Sequence, residues 1–328
     1  MKTKTKLLLL ILFIILLIQF RKRTTENYDN QVFNLIQNDK GKLFLEDIVT
    51  VSFDDKIITI PRVELDTGSS KFIVDKETSA KLLENKDETL CEKGGWGENC
   101  IPYTYTSRFS GHIVNSKFYK GEVAIGDNKV TMAVGTNDKD FKYYSILGMS
   151  YNTGYELLNF LSQYYKSRVP RFLTFKYNNL DNQEGGTFHM NKPVSKKMKY
   201  ITYLKNNRAK FLLKIKSMSV DGQKVILKYP YALIDTGAEN TTLPESNWEM
   251  VGSPDKAFVE MEFIDDFNKS FENTVKISNN TPMRAYDPYN VTLNHNLEEV
   301  PYILVGKFLM QNMEVSFDIK KQRIGFSL

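Results

Sequence analysis

The sequence predicts a mainly β chain built as two lobes on one plan, and three observations carry that expectation. Asp-Thr-Gly occurs twice, as Asp66-Thr67-Gly68 entered through Val63-Glu64-Leu65, and as Asp235-Thr236-Gly237 entered through Ala232-Leu233-Ile234. Average residue usage places one such tripeptide in a chain of 328 residues about one time in ten, so a second copy points to an internal repeat. Each copy is followed by an apolar run that closes on glycine, Ile146-Leu147-Gly148 and Leu304-Val305-Gly306, which read as buried strands. The length itself exceeds what one hydrophobic core usually supports.

Composition sets the class. Hydrophobic residues make up 41% of the chain and aromatic residues 12%, enough for real cores. The formal charge of +5 misleads, because Lys2, Lys4, Lys6, Arg21, Lys22 and Arg23 sit in residues 1–23 with no acid among them. The remainder is close to neutral, and no basic patch suggests nucleic acid as a partner. Leu7 to Ile18 is an unbroken apolar run behind three lysines, which reads as a secretory signal over residues 1–20 or as a short uncleaved anchor. Only in the uncleaved case is a membrane a partner.

Cys91 and Cys100 bracket a glycine-rich stretch. In a secreted chain they read as one disulfide closing that loop, with two unpaired thiols as the alternative. His112, His189 and His295 form no ligand-spaced set with them, so no metal and no cofactor is expected. Four sequons, at Asn240, Asn268, Asn279 and Asn290, agree with a secretory route, although Asn240 lies so close to Asp235 that burial would block it.

Taken in order, residues 21–40 read as polar and loosely ordered. Leu43–Thr50 and Ile57–Leu65 flank Asp54-Asp55 as a hairpin that leads into the first Asp-Thr-Gly, and Phe72-Ile73-Val74 continues as a strand. Tyr103 to Gly111 and Gly121 to Val130 read as further hairpins, the second turning at Asp127-Asn128. Apolar residues at Tyr155, Leu158 and Leu161 have helical spacing. Phe172–Phe175 and Gly185–Met190 read as strands crossing between lobes, with His189 as a structural residue. The lobe boundary falls near Asn191, giving a first lobe over residues 41–190 and a second over 191–328. In the second, Tyr200–Tyr203 and Phe211–Val220, turning at Asp221-Gly222, lead to Asp235, and Val315–Asp318 with Arg323–Phe326 close the fold.

With these motifs in this order, the chain from about Lys42 to Leu328 resembles the pepsin-like aspartic peptidases. The resemblance implies a bilobal fold of two pseudo-symmetric, barrel-like β lobes, a monomeric aspartic endopeptidase acting on a polypeptide substrate, and a secreted, lysosomal or vacuolar destination. It implies Asp66 and Asp235 as the catalytic pair, with Thr67, Gly68, Ser69, Thr236, Gly237 and Ala238 as supporting loop residues. Tyr105, or its rival Tyr103, stands where the family carries the tyrosine of the flap over the cleft. Ile73 replaces a common tryptophan, Ser145 a common acid, and the glycine usual at the flap tip is missing. The short stretch before Lys42 either replaces the usual inhibitory pro-segment or serves as a minimal one.

Two carboxylates a few ångströms apart cannot both ionise without severe repulsion, so such a pair shares one proton. The ionised member takes a proton from a water between them, and the neutral member hydrogen-bonds the scissile carbonyl. Ser69 offers its aspartate a hydroxyl, whereas Ala238 offers none. A less acidic pH optimum is therefore expected than for a relative with Ser or Thr there. Glu239 reads as a solvated side chain, or as one that selects a basic substrate residue. The competing functional reading is a non-catalytic peptide-binding module on the same scaffold.

Overall fold

The computed structural model describes residues 31–327 apart from 54–55, 85–99, 110–111, 138–143, 151–159, 162, 164–171, 192–194, 196, 207–210, 266–272, 286–288 and 293–298. Strands dominate: one sheet of 13 strands holds a closed first β body and an antiparallel extension of it, and a sheet of eight strands makes a second β body.

The first body grows from the hairpin of strands Leu43–Phe53 and Lys56–Asp66, which pair from Phe53↔Lys56 onward. Lys56–Asp66 runs parallel to Ser145–Gly148, with Asp66 opposite Gly148. Phe72–Ile73 then pairs antiparallel with that strand and parallel with Asn128–Asn137. Asn128–Asn137 pairs with His112–Ile125, and His112–Ile125 returns to Leu43–Phe53 through Val49↔Ile125 to Ser52↔Glu122. The ring of strands is closed, so its inner faces bury Val49, Val51, Val63, Phe72, Val123 and Val134 away from water. Each such side chain contributes about 1.5–3 kcal/mol by burial.

The second body repeats the central device. Strand Leu212–Val220 pairs with Tyr231–Ile234 and with Lys256–Ile264, and Tyr231–Ile234 runs parallel to Glu299–Val305 in the register Ala232↔Ile303 to Ile234↔Val305. In both bodies, a strand that delivers Asp-Thr-Gly lies parallel to the strand that ends in two apolar residues and glycine. An antiparallel sheet continues the first body through the pairing Ile36↔Phe44, in the order Met198–Thr202, Arg323–Ser327, Glu314–Asp318, Phe172–Tyr177, Gly186–Met190 and Val32–Gln37. Phe175 anchors its core, with ring centroids 5.0 Å from Phe188 and 6.0 Å from Phe317.

Several details correct the sequence reading. The segment before Lys42 is not loose throughout: Val32–Gln37 is a strand that buries Leu35 and nearly all of Phe33 on one face and pairs with Gly186–Met190. The alternation of Phe33 and Leu35 with polar or exposed neighbours is a strand signal that the polar flanks concealed. The second hairpin turns at Gly126-Asp127 rather than one residue later, because Ile125 pairs with Asn128 and Gly126 takes φ +55°. The Asp221-Gly222 turn stands where expected, with both residues at positive φ. Most of the stretch 155–166 lies outside the described residues, as do residues 1–20, Cys91 and the side chain of Cys100, so the helix, the signal and the disulfide stay expectations. Among the described residues no helix is long and apolar enough to cross a membrane.

Candidate active site

Each Asp-Thr-Gly sits where a strand stops and its chain must turn back past the neighbouring strand. Gly148 marks that passage in the first body: a Cβ there would fall 2.6 Å from the Ser70 carbonyl carbon and 2.7 Å from Lys71 O. Gly306 does the same in the second, where a Cβ would lie 2.5 Å from the carbonyl oxygens of Glu239 and Asn240. Only hydrogen fits at either position, which is the physical reason that both apolar runs end in glycine. Gly148 N donates to Lys71 O, and Lys307 N donates to Ala238 O, each at 2.8 Å, so both loops are tied to the strand they cross.

The two loops meet through their threonines. Thr67 N donates to Thr236 Oγ1 and Thr236 N to Thr67 Oγ1, both at 3.0 Å. The hydroxyls then donate onward, Thr67 Oγ1 to Ile234 O at 2.8 Å and Thr236 Oγ1 to Leu65 O at 2.7 Å. Both threonines are buried, so every one of these groups is satisfied by the other loop and not by water.

This cross brings the aspartates face to face. A Cβ on Gly68 would fall against the Asp235 carboxylate, 2.7 Å from its Cγ, and a Cβ on Gly237 would lie 2.6 Å from Asp66 Cγ. Each glycine thus makes room for the carboxylate of the opposite loop. Asp66 Oδ1 accepts from Gly68 N at 2.7 Å, and its Oδ2 from Ser69 Oγ at 2.5 Å. Asp235 Oδ1 accepts from Gly237 N at 2.9 Å and from Ala238 N at 3.2 Å. The asymmetry foreseen at Ala238 is present: a second peptide N–H stands on Asp235 where a hydroxyl stands on Asp66.

Beside this pair lies a group of four charges that the sequence reading did not single out as a unit. Lys42 Nζ is 3.1 Å from Glu64 Oε1 and 2.9 Å from Glu239 Oε1, while Lys307 Nζ is 3.5 Å from each of the same two oxygens. Two members come from each half of the chain, and their charges cancel. Glu64 and Lys307 are buried almost completely. Burial raises the Glu64 carboxyl above the ordinary carboxylate range, and the two lysines offset only part of that. Burial works the same way on Glu239, but there Lys307 and Lys42 prevail and hold its carboxyl below the ordinary range. For Lys42, burial disfavours the ammonium, yet Glu64 and Glu239 outweigh it and hold the pKa well above that of free lysine. Glu239 is therefore not simply solvated but paired with both lysines.

Underneath the loops, Tyr177 is buried and its hydroxyl finds no hydrogen-bond partner among the described residues. Burial, with the charges of Asp235 and Glu64, pushes that phenol well above its usual pKa. It borders a cavity of about 10 Å³ together with Leu35, Leu43, Leu65, Phe175 and Thr236. Lys71, just beyond the first loop, is pushed down to about 7 by burial.

The remaining expected residues lie further out. Tyr105 stands on strand Cys100–Phe109, opposite Ser116 of His112–Ile125, in the hairpin expected there, and its side chain lies outside the described residues. Tyr103 falls in the irregular stretch between Ile101 and Thr104. Ser145 binds Asp75, which caps the helix Lys76–Leu83 through Thr78 N at 2.9 Å. His189 shares a 2.8 Å hydrogen bond with Thr187, in keeping with a structural role. Of the sequons, Asn268 and the side chain of Asn290 are outside the described residues, and Asn279 already uses its amide on Gln311 O at 2.9 Å. Among the described residues no cluster of His, Cys, Asp and Glu suits a metal ion. No protein-family model matches the chain, and no curated protein matches it.

Proposed function

We propose that this chain is an aspartic endopeptidase of the pepsin-like, bilobal kind, hydrolysing peptide bonds in polypeptides through a water activated by Asp66 and Asp235. The single observation that carries the reading is the facing of two carboxylates from opposite halves, each lodged against the other loop's glycine. The crossed threonines fix that facing, so the pair is organised before substrate arrives.

In the proposed reaction the ionised carboxylate removes a proton from the water while the oxygen attacks the scissile carbonyl carbon. The neutral carboxyl hydrogen-bonds the carbonyl oxygen and transfers its proton there, giving a neutral gem-diol. The carboxyl that now holds the proton then gives it to the amide nitrogen while the other carboxylate takes a proton from a gem-diol hydroxyl; the C–N bond breaks, leaving an acid and an amine, with the pair again sharing one proton. No covalent intermediate with the protein is formed. The reading also takes the amino-terminal apolar run as a secretion signal or anchor, places the protein in the secretory route, and gives it extended polypeptide as substrate beneath the hairpin that carries Tyr105.

The test is hydrolysis of an unfolded protein substrate by the mature chain, compared with Asp66→Asn and Asp235→Asn. Each variant is expected to lose at least about a thousandfold in kcat, because the dyad acts as one group, and pepstatin is expected to inhibit the wild type. Peptide binding with no turnover in the wild type would favour the binding-module reading instead.

A further inference from the structure

We propose that Lys42 is a positioning residue for the carboxylate pair: its ammonium polarises the Gly237–Ala238 peptide, whose N–H is held on Asp235, and so takes the place of the hydroxyl that Ala238 lacks. The inference rests on the reading of Asp66 and Asp235 as a hydrolytic pair, and it concerns a residue from the opposite half of the chain.

The connection is short and continuous. Lys42 Nζ donates to Gly237 O at 3.1 Å, and the N–H of the same peptide unit, on Ala238, donates to Asp235 Oδ1 at 3.2 Å. A cation on a peptide oxygen draws electron density from the nitrogen and makes its N–H a stronger donor, an effect that a low-dielectric site preserves. The first loop has no need of this arrangement, because Ser69 Oγ itself donates to Asp66 Oδ2. Where one loop uses a hydroxyl, the other uses a polarised peptide.

Lys42 is built into that position from several sides. Asn38 Oδ1 accepts from Lys42 N at 2.9 Å and from Lys40 N at 3.0 Å, which folds the chain into a tight turn. Gly41 completes the turn at φ +77°, where a Cβ would meet the Phe308 ring at 3.0 Å. Glu64 and Glu239 flank the ammonium, and the Tyr144 ring lies 5.8 Å from it. Among the described residues, the charged and titratable groups placed near Asp235 include Asp66 across the loop contact, Tyr177 beneath, and the four members of the ion group to one side. Lys307 is near Glu239 as well, but its backbone, not its ammonium, contacts the loop, by donating to Ala238 O at 2.8 Å. Lys42 is the lysine whose ammonium donates to the peptide that contacts Asp235.

The experiment compares wild type with Lys42→Met, Lys42→Met/Glu239→Gln and Lys42→Met/Ala238→Ser in the full chain, labelled with 15N at alanine. Lys42→Met is expected to shift the Ala238 amide proton upfield and to lower kcat about tenfold with KM within about twofold. That rate loss is what weakening one charge-assisted hydrogen bond by about 1.4 kcal/mol implies. The acid limb of the rate profile is expected to move to higher pH. The Glu239→Gln partner keeps the group neutral and the fold intact while leaving both effects in place, whereas Ala238→Ser restores kcat and the acid limb by supplying a hydroxyl. Recovery of the Ala238 amide position and kcat in Lys42→Met/Glu239→Gln, with no recovery of kcat or the acid limb in Lys42→Met/Ala238→Ser, would overturn the proposal and leave Lys42 as part of a neutral staple. An amide shift that follows Lys42 in a wild type without peptidase activity would uphold the polarised peptide and remove the hydrolase reading. An unmoved amide overturns the proposal whatever the activity.

Discussion

At the scale of single residues, the crossed threonines are satisfied by partners from the other half, whereas the Tyr177 hydroxyl is not and invites a test. Its ring fills the space under both loops at 1% exposure, yet its hydroxyl is buried without a partner among the described residues. A donor left unsatisfied in this way costs about 1–3 kcal/mol, whereas the ring contributes by burial with or without its oxygen. Tyr177→Phe is therefore expected to raise stability by about 1 kcal/mol, read as the midpoint of urea unfolding with an unchanged slope. A lowered midpoint would mean that the 10 Å³ space beside it holds a water bridging the phenol to the loops. The crossed threonines give the opposite case. Thr67→Val keeps the shape but strands Thr236 N and Ile234 O in a dry site. Two buried unsatisfied groups put the expected loss at about 2–5 kcal/mol by the same unfolding measurement.

At the scale of elements, what could be read in advance depended on whether the constraint was local. The parallel pairing of an Asp-Thr-Gly strand with an apolar run ending in glycine left a signature because the crossing loop tolerates no side chain at Gly148 or Gly306. A steric rule of that kind writes itself into one position. Gly148→Ala is accordingly expected to destabilise by about 2–3 kcal/mol, since its Cβ meets backbone at Ser70 and Lys71 that cannot swing aside. Calorimetry giving a melting temperature within a degree of wild type would show that the crossing has slack. Hairpins at Asp221-Gly222 and between Phe53 and Lys56 were legible for a similar reason, the turn chemistry being local. Strand Val32–Gln37 was missed because only Phe33 and Leu35 mark its buried face, and Ile36, which breaks the alternation, is 45% exposed. The ion group was illegible as a unit for a deeper reason. Its members at positions 42, 64, 239 and 307 share no spacing, and only the closed tertiary structure makes them neighbours.

At the scale of the whole molecule, the described contacts that join the two halves include the antiparallel sheet, the threonine cross, the Asp181–Lys256 ion pair and the four charges, and the four charges respond to pH. Lys42 and Lys307 hold the Glu239 carboxyl below its ordinary value of 4.5. A depressed carboxyl stabilises the fold above that unfolded-state value, and the contribution is lost as pH falls through the folded-state value. Lys42 is held above its ordinary value of 10.5, so its share is complete below that pH and is lost only in strong alkali. Glu64 runs the other way, because a raised carboxyl favours the fold when protonated and gives that up as pH climbs past 4.5 towards its folded value. Glu239→Gln isolates one of these three. The stability difference between wild type and Glu239→Gln is expected to be constant from about pH 6 to 9 and to narrow steadily below the ordinary carboxylate value of 4.5. Denaturant unfolding of both proteins across that range measures it, with the inactive Asp66→Asn background preventing self-digestion under the proposed activity. A difference that stays level on acidification would show that Glu239 is not bound more tightly ionised than neutral. The ionised Glu239 carboxylate would then add nothing to the link between the halves.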